Sequence, residues 1–178
     1  MAMLDLSPDE LLTTTRAVRK RLDYDRPVSD DDIRDCVRLA MQSPSGSNSM
    51  TMQFVVVKDE AKRAAIGEIY GKCFDIYRTM DGVYAGSITK ETDAEQAQQD
   101  RVTNSAEHLA ATMGQCPALV IACSASGRIE GAPAMQSASV MGNVLPAMWS
   151  FMLAARARGL GTAWTTVGLM MEQEIADV

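Results

Sequence analysis

Histidine is nearly missing from this chain: His108 is the only one in 178 residues. Sites that need two or three imidazoles, such as a zinc centre built on His-Glu-x-x-His, are excluded within one chain. Any triad would have to use His108. That residue lies in the polar stretch Asn104-Ser105-Ala106-Glu107-His108 and is read as a solvated helix residue. Aromatic residues are scarce at 5%, against 13 methionines, so a flat ligand would meet soft thioether and aliphatic walls more than stacked rings. The four cysteines, Cys36, Cys73, Cys116 and Cys123, show no CxxC spacing and lie too far apart for a small disulfide framework. They predict reduced thiols in a cytoplasmic protein. Met1 to Leu12 carries Asp5, Asp9 and Glu10 where a secretory signal needs a basic start and an apolar core. The most apolar stretch, Val140 to Ala155, is broken by Asn143, Pro146 and Ser150. It is shorter than the ~20 residues of a bilayer span, so no membrane partner is expected. With 17 basic residues against 23 acidic ones and a net charge of −6, no global field attracts nucleic acid.

What is present is a chain of one-domain length, 47% hydrophobic and 22% charged, as in ordinary globular proteins. Ser7-Pro8-Asp9-Glu10 predicts a capped helix start, and the helix gives out near Thr13 to Thr15. Arg16 to Pro27 has little periodicity and is read as an extended connection. Ser29 caps a second helix with Asp30, Asp31 and Asp32 in its first turn and Ile33, Val37 and Ala40 at helical spacing. Phe54 to Val57 predicts a strand buried on both faces, as does Ala118 to Ala122. Between them lie a helix from Glu60 to about Tyr77 and a polar surface helix from Asp93 to Met113. A long apolar helix follows, about Ser137 to Arg158, closed by Gly159. Being apolar nearly all round, it predicts burial against a second subunit. Thr162 to Thr166 is read as a third strand, and Glu172 to Val178 as the start of a further helix. Strands separated by helices imply an α/β or α+β sandwich with a covered sheet.

Three segments carry candidate chemistry. Arg16-Ala17-Val18-Arg19-Lys20-Arg21 packs four basic residues into six positions. Irregular chain can bend such side chains round a phosphate, and arginine grips two oxygens at once. Ser43-Pro44-Ser45-Gly46-Ser47-Asn48-Ser49 can offer backbone N–H groups and side-chain donors to a polar ring edge. Trp164-Thr165-Thr166-Val167-Gly168 leaves a predicted strand where α/β proteins place ligands. Gly159-Leu160-Gly161 follows a helix and lacks a third glycine, so it is not a dinucleotide-binding fingerprint.

Taken in order, Arg16-Ala-Val-Arg-Lys20, Asp25-Arg-Pro-Val28, the Ser43 to Ser49 loop and the strand Phe54 to Val57 resemble the opening of the FMN-dependent nitroreductase family. Ala154 to Thr166 resembles that family's central helix running into its next strand. The likeness extends from about Thr13 to Val178, and is only an outline over Lys72 to Gly114, where the family varies a substrate lid. It implies a nitroreductase-like fold: a central, mostly antiparallel sheet covered by helices, in a homodimer with shared active sites. Residues 1–178 would form one FMN-binding domain. The sequence ends at Val178, before the glycine-containing strand and further basic residue with which the family normally continues.

The resemblance also implies a site. Arg16 and Lys20 would hold the FMN phosphate and the pyrimidine side of the ring, with the backbone of Ala17 and Val18 between them and Arg19 beside them. Pro44, Ser45, Gly46 and Asn48 would meet the flavin from the other subunit. Thr165, Thr166, Val167 and Gly168 would approach the isoalloxazine edge. No catalytic acid, nucleophile or metal ligand is implied. The activity implied is reduction of a small conjugated or nitroaromatic acceptor with NAD(P)H, by ping-pong hydride transfer through flavin N5. Where the family commonly has Gln-Pro-Trp, this chain has Met50-Thr51-Met52, a thioether wall. Other readings are a flavin-binding or storage protein with little turnover, a same-fold dehalogenase or flavin-degrading enzyme, and an acidic α/β scaffold whose basic run is only solvated.

Overall fold

The structure, a computed structural model, describes residues 3–178. Met1 and Ala2, at the head of the stretch read for a signal, lie outside the described residues. The chain forms two compact units, each gathered from three separate stretches. One holds the chain up to Ala17, Pro27–Val56 and Leu119–Thr162; the other holds Val18–Arg26, Val57–Ala118 and Ala163–Val178.

In the first unit, α1 (Pro8–Thr14) begins where the sequence predicts. Ser7 Oγ accepts the Glu10 N–H at 3.2 Å and the Glu10 carboxylate accepts the Ser7 N–H at 2.8 Å, a reciprocal capping box. For α2 (Asp30–Ala40), Ser29 Oγ accepts the Asp32 N–H at 3.1 Å, and three aspartates face the positive end of the helix. Strands β1 (Met52–Val57) and β2 (Leu119–Ser124) pair. The Ala125 N–H donates to the Thr51 carbonyl at 2.7 Å, which sets the start of β1 against the end of β2, an antiparallel arrangement.

The long helix α5 (Ala134–Ala157) closes this unit. Phe151, Ala154 and Ala155 form its core with Cys36 and Ala40 of α2, and Phe54, Val120 and Leu160 pack around them. Alanines at the crossing let the two helices approach closely, while the Phe54 and Phe151 rings fill the space beside them, 5.6 Å apart. Gly159, at φ 73°, ends α5 as predicted: its N–H reaches the Arg156 carbonyl and the Leu160 N–H reaches that of Ala155. At 24 residues, with a mean hydropathy of 1.3 over its most apolar 18, α5 is long and apolar enough to cross a bilayer, unlike the shorter Val140 to Ala155 stretch. Within this unit, however, its Asn143 and Ser150 are hydrogen-bonded to the loop after α2. Leu145 and Trp149 stay exposed on it.

Two expectations about the strands need correction. β1 is not covered on both faces, because Val55 and Val56 are exposed, and β2 is only half-buried along its whole length. An apolar run records the wish for cover, not its presence in a single chain. Nor is Thr162 to Thr166 a strand. Thr162 makes one parallel bridge to Ala17, and Val167–Met171 then winds into a 3-10 turn. A strand needs a partner along its length, and this partner bends away into the turn at Arg19 to Arg21.

The second unit is helical. α3 (Glu60–Arg78), capped by Asp59, buries Ile66, Ile69, Tyr70, Cys73 and Phe74, the i, i+3, i+4, i+7, i+8 stripe of an amphipathic helix. α4 (Asp93–Thr112) starts on a Thr92–Glu95 capping box and buries only Leu109, as a polar surface helix should. α6 (Glu172–Asp177) lies near the carboxyl end. The 3-10 turn Met113–Gln115 presses against α3, and Arg63 crosses it, donating to the carbonyls of Gly114 and Cys116. All four cysteines are free thiols. Burial pushes those of Cys36, Cys73 and Cys116 up from the ordinary range.

Gly67 and Gly114 permit that contact. A Cβ on Gly67 would stand 2.7 Å from the Gly114 nitrogen and 2.8 Å from its Cα, backbone atoms that cannot rotate away. Gly67→Ala should therefore lower stability, although alanine is intrinsically the better helix former by about 1 kcal/mol. Overpacking of this kind costs about 1–3 kcal/mol. Urea denaturation of the two proteins checks it, and a stabilised variant would refute the close crossing.

Candidate functional site

The basic segment straddles the two units. Arg16 and Ala17 belong to the first, where the bridge to Thr162 fixes the backbone of Ala17 in extended form. Arg16 is exposed, and its guanidinium donates to the carbonyl of Thr15 at 2.7 Å. Val18, Arg19 and Lys20 belong to the second unit, where they are fastened to α4. Arg19 donates to Ser105 Oγ at 3.3 Å and Lys20 to Asn104 Oδ1. Further along, the Tyr24 hydroxyl meets Thr112 Oγ1 at 2.7 Å and His108 Nε2 at 3.4 Å.

The partners of these cations are all neutral. Arg34, Arg38, Arg78 and Arg158 each pair with an aspartate or glutamate. Among the described residues, Arg16, Arg19 and Lys20 have no carboxylate partner. In a chain where acids outnumber bases, Arg19 and Lys20, adjacent in the second unit and undischarged, suit a phosphate carrying about −1.5 to −2 charges, since each can still form charge-assisted bonds. The donor set thus fits the phosphate of FMN.

In the first unit, the serine-rich loop makes a 3-10 turn, Gly46–Asn48, with Ser47 and Asn48 at φ 54° and 55°. That left-handed backbone is unusual for side chains other than Asn and Asp. Most of its backbone donors are already engaged. The Gly46 N–H donates to Asn143 Oδ1 at 2.8 Å, the Asn48 N–H to Ser45 O and the Ser49 N–H to Gly46 O. What the loop holds outward is the exposed Pro44 and the Asn48 side chain, beside half-buried Ser45. It borders a shallow, open hollow with a cavity volume of only about 10 Å³ that also takes in Met50, Thr51, Asn143 and Ala147. That is less than the roughly 300 Å³ at which ligand pockets begin, so this hollow alone does not enclose a flavin. The expected Met50 to Met52 wall splits: Met50, ahead of β1, is exposed, whereas Met52, the first residue of β1, is a core residue.

The last candidates lie in the second unit. Tyr70, buried on α3, shares a 2.7 Å hydrogen bond with Thr165 Oγ1, and burial pushes its phenol up from the ordinary range. Gly168 lies against Tyr70 and Ile175, close enough that a Cβ would stand 3.1 Å from Ile175 Cδ1. Thr166 is exposed and Val167 half-buried. The Lys72 to Gly114 segment is pinned by a charged and aromatic cluster. Arg78 pairs with Glu107 and Asp75 and stacks on Phe74 at 5.0 Å. The Tyr84 hydroxyl donates to Glu107 at 2.6 Å, and its ring sits edge-on to Tyr77 and Phe74.

Asn104, Ser105, Asn143 and Tyr70, which hold candidate residues in place, have no such role in the sequence reading. Asn143 had a signal, being an amide in the middle of an apolar helix. Asn104 and Ser105 had none, because α4 is polar on nearly every side.

The nitroreductase family model matches residues 12–178, and the chain belongs to that family. Among solved structures, it is similar to a BluB-like flavoprotein from Clostridium difficile 630, with 22% identity and a TM-score of 0.63 over 97% of this chain and 80% of that one. It is similar to an iodotyrosine deiodinase bound to FMN and 3-iodo-L-tyrosine, at 17% identity and TM-score 0.68, covering 95% and 80%. The FMN-dependent nitroreductase NfnB from Mycobacterium smegmatis, solved with NADPH, gives 18% identity and TM-score 0.60, covering 96% and 80%. These establish the nitroreductase-like α+β fold. No curated protein matches the chain.

The Arg78 guanidinium holds the Glu107 carboxyl below the usual glutamate range, helped by the Tyr84 hydroxyl. A depressed folded pKa contributes stability that is present above the ordinary pKa and is lost as pH falls through the folded value. Glu107→Gln should therefore cost up to about 1 kcal/mol at neutral pH, the scale of a partly exposed pair. Its deficit relative to the parent should shrink towards pH ~3, below the glutamate range. Urea midpoints at the two pH values decide it, and a deficit unchanged by acid would sink the assignment.

Proposed function

We propose that this protein is an FMN-dependent oxidoreductase of one nitroreductase-like domain over residues 1–178, and that it works in the cytoplasm as a homodimer with shared sites. It would reduce a small conjugated or nitroaromatic acceptor at the expense of NAD(P)H. The observation that carries the reading is the pair of cations Arg19 and Lys20, held by the neutral oxygens of Ser105 and Asn104 in an acidic member of this family. Arg16, Lys20 and Arg19 would bind the phosphate and the pyrimidine side of the ring, with Ala17 and Val18 offering backbone between them. Pro44, Ser45, Gly46 and Asn48 would cover the flavin from the partner copy. Thr165, Thr166, Val167 and Gly168 would border its reactive edge. Bound there, FMN would supply two-electron chemistry between a reduced nicotinamide and the acceptor.

The chain's own residues have three tasks. Lys20 places a positive charge that favours the negative charge a flavin gains on reduction. Tyr70 orients Thr165 through their shared hydrogen bond. Asn143 holds the Gly46 backbone, setting the outward course of the serine-rich loop. The exposed apolar side chains Leu145 and Trp149 on α5 support dimerisation, since burial of such a face lowers its free energy by about 25 cal/mol per Å².

Purified protein titrated with FMN should quench flavin fluorescence, and NADH or NADPH should bleach the bound flavin under anaerobic conditions. Tight binding without bleaching would favour a flavin store over an enzyme. Arg16→Ala should weaken FMN binding by about 1.5–3 kcal/mol, the value of a hydrogen bond to a charged group. Unchanged affinity would place the phosphate elsewhere.

A further inference from the structure

The Val18–Arg26 segment meets α4 along a single row. Asn104, His108 and Thr112 stand four residues apart, with Ser105 beside them, so they share one face of the helix. That face receives Lys20 at Asn104, Arg19 at Ser105, and Tyr24 at His108 and Thr112. The two positions that receive cations are an amide and a hydroxyl, although α4 is not short of acids. Glu107, three residues past Asn104, is turned to Arg78 and Tyr84 instead. A neutral acceptor fixes the direction of a cationic side chain while leaving its charge intact. A carboxylate in the same place would offset the charge and compete with any anionic ligand.

We infer that Asn104 and Ser105 are positioning residues for cofactor binding, holding Lys20 and Arg19 oriented and undischarged for the flavin. This rests on the FMN reading above. Neither residue needs to touch the flavin, since each acts through the cation that it holds.

Asn104→Asp is the sharp probe, because it keeps the shape of the side chain and changes only its charge. Asn104 is exposed, so the variant should fold, with a melting temperature equal to or above that of the parent. FMN affinity, measured by fluorescence quenching, should nevertheless fall by about threefold to tenfold, the scale of one partly solvated charge pair. The reduction potential of bound flavin should move to a more negative value. Ser105→Asp should act in the same direction through Arg19. In a Lys20→Met background, Asn104→Asp should have little further effect on affinity. A merely structural contact would instead lower affinity and stability together. Unchanged affinity and potential in Asn104→Asp, or an equal loss with Lys20 already removed, would overturn the inference while leaving the FMN reading standing. A parent protein that binds no FMN would overturn both.

Discussion

A cation remains available to a ligand in an acidic protein only if the surrounding acids are committed elsewhere. This chain has 23 acids and 17 bases, and three of its helical arginines, Arg34, Arg38 and Arg78, pair with an aspartate three residues away. The basic segment escapes this pairing because it is not helical. Its backbone is extended at Ala17 and then turns, which takes its side chains out of the i, i+3 geometry in which charge pairs form on a helix surface. Tertiary structure then chooses a hydroxyl for Arg19 and an amide for Lys20, while Arg16 turns to the carbonyl of its neighbour Thr15.

Each unit positions its own candidate residues in its own way. In the first, small residues at the α2–α5 crossing bring α5 close enough for Asn143 and Ser150 to reach the serine-rich loop. In the second, the paired glycines 67 and 114 let backbone meet backbone, and the Arg78–Glu107–Tyr84 cluster ties the stretch after α3 to α4. Both devices use interior close packing to aim polar groups at a surface.

Much of the local structure was legible in advance. Helix starts at Ser7 and Ser29 follow from caps that satisfy otherwise unpaired backbone donors, and the stop at Gly159 follows from its positive φ. The Ile33, Val37 and Ala40 spacing of α2 and the ordered likeness to the nitroreductase family were equally visible. The third strand was not, since Thr162 to Thr166 has strand-like composition but only Ala17 to pair with. The two-sided burial of β1 was also overstated. Val55 and Val56 carry the β-branched apolar character of a covered strand while standing exposed in the single chain.

Residue identity and order thus sufficed to determine the capped helices, the stripes that turn inward, the concentration of positive charge near the amino end and the family to which the chain belongs. These depend on neighbours within about one helical turn, or on a linear pattern. Tertiary structure decided which oxygens Arg19 and Lys20 meet, that Asn143 fastens the Gly46 backbone, and that Glu107 turns to Arg78 rather than to Lys20. Those pairings join residues far apart in the chain, where distance and direction are set by packing, and no local spacing encodes them.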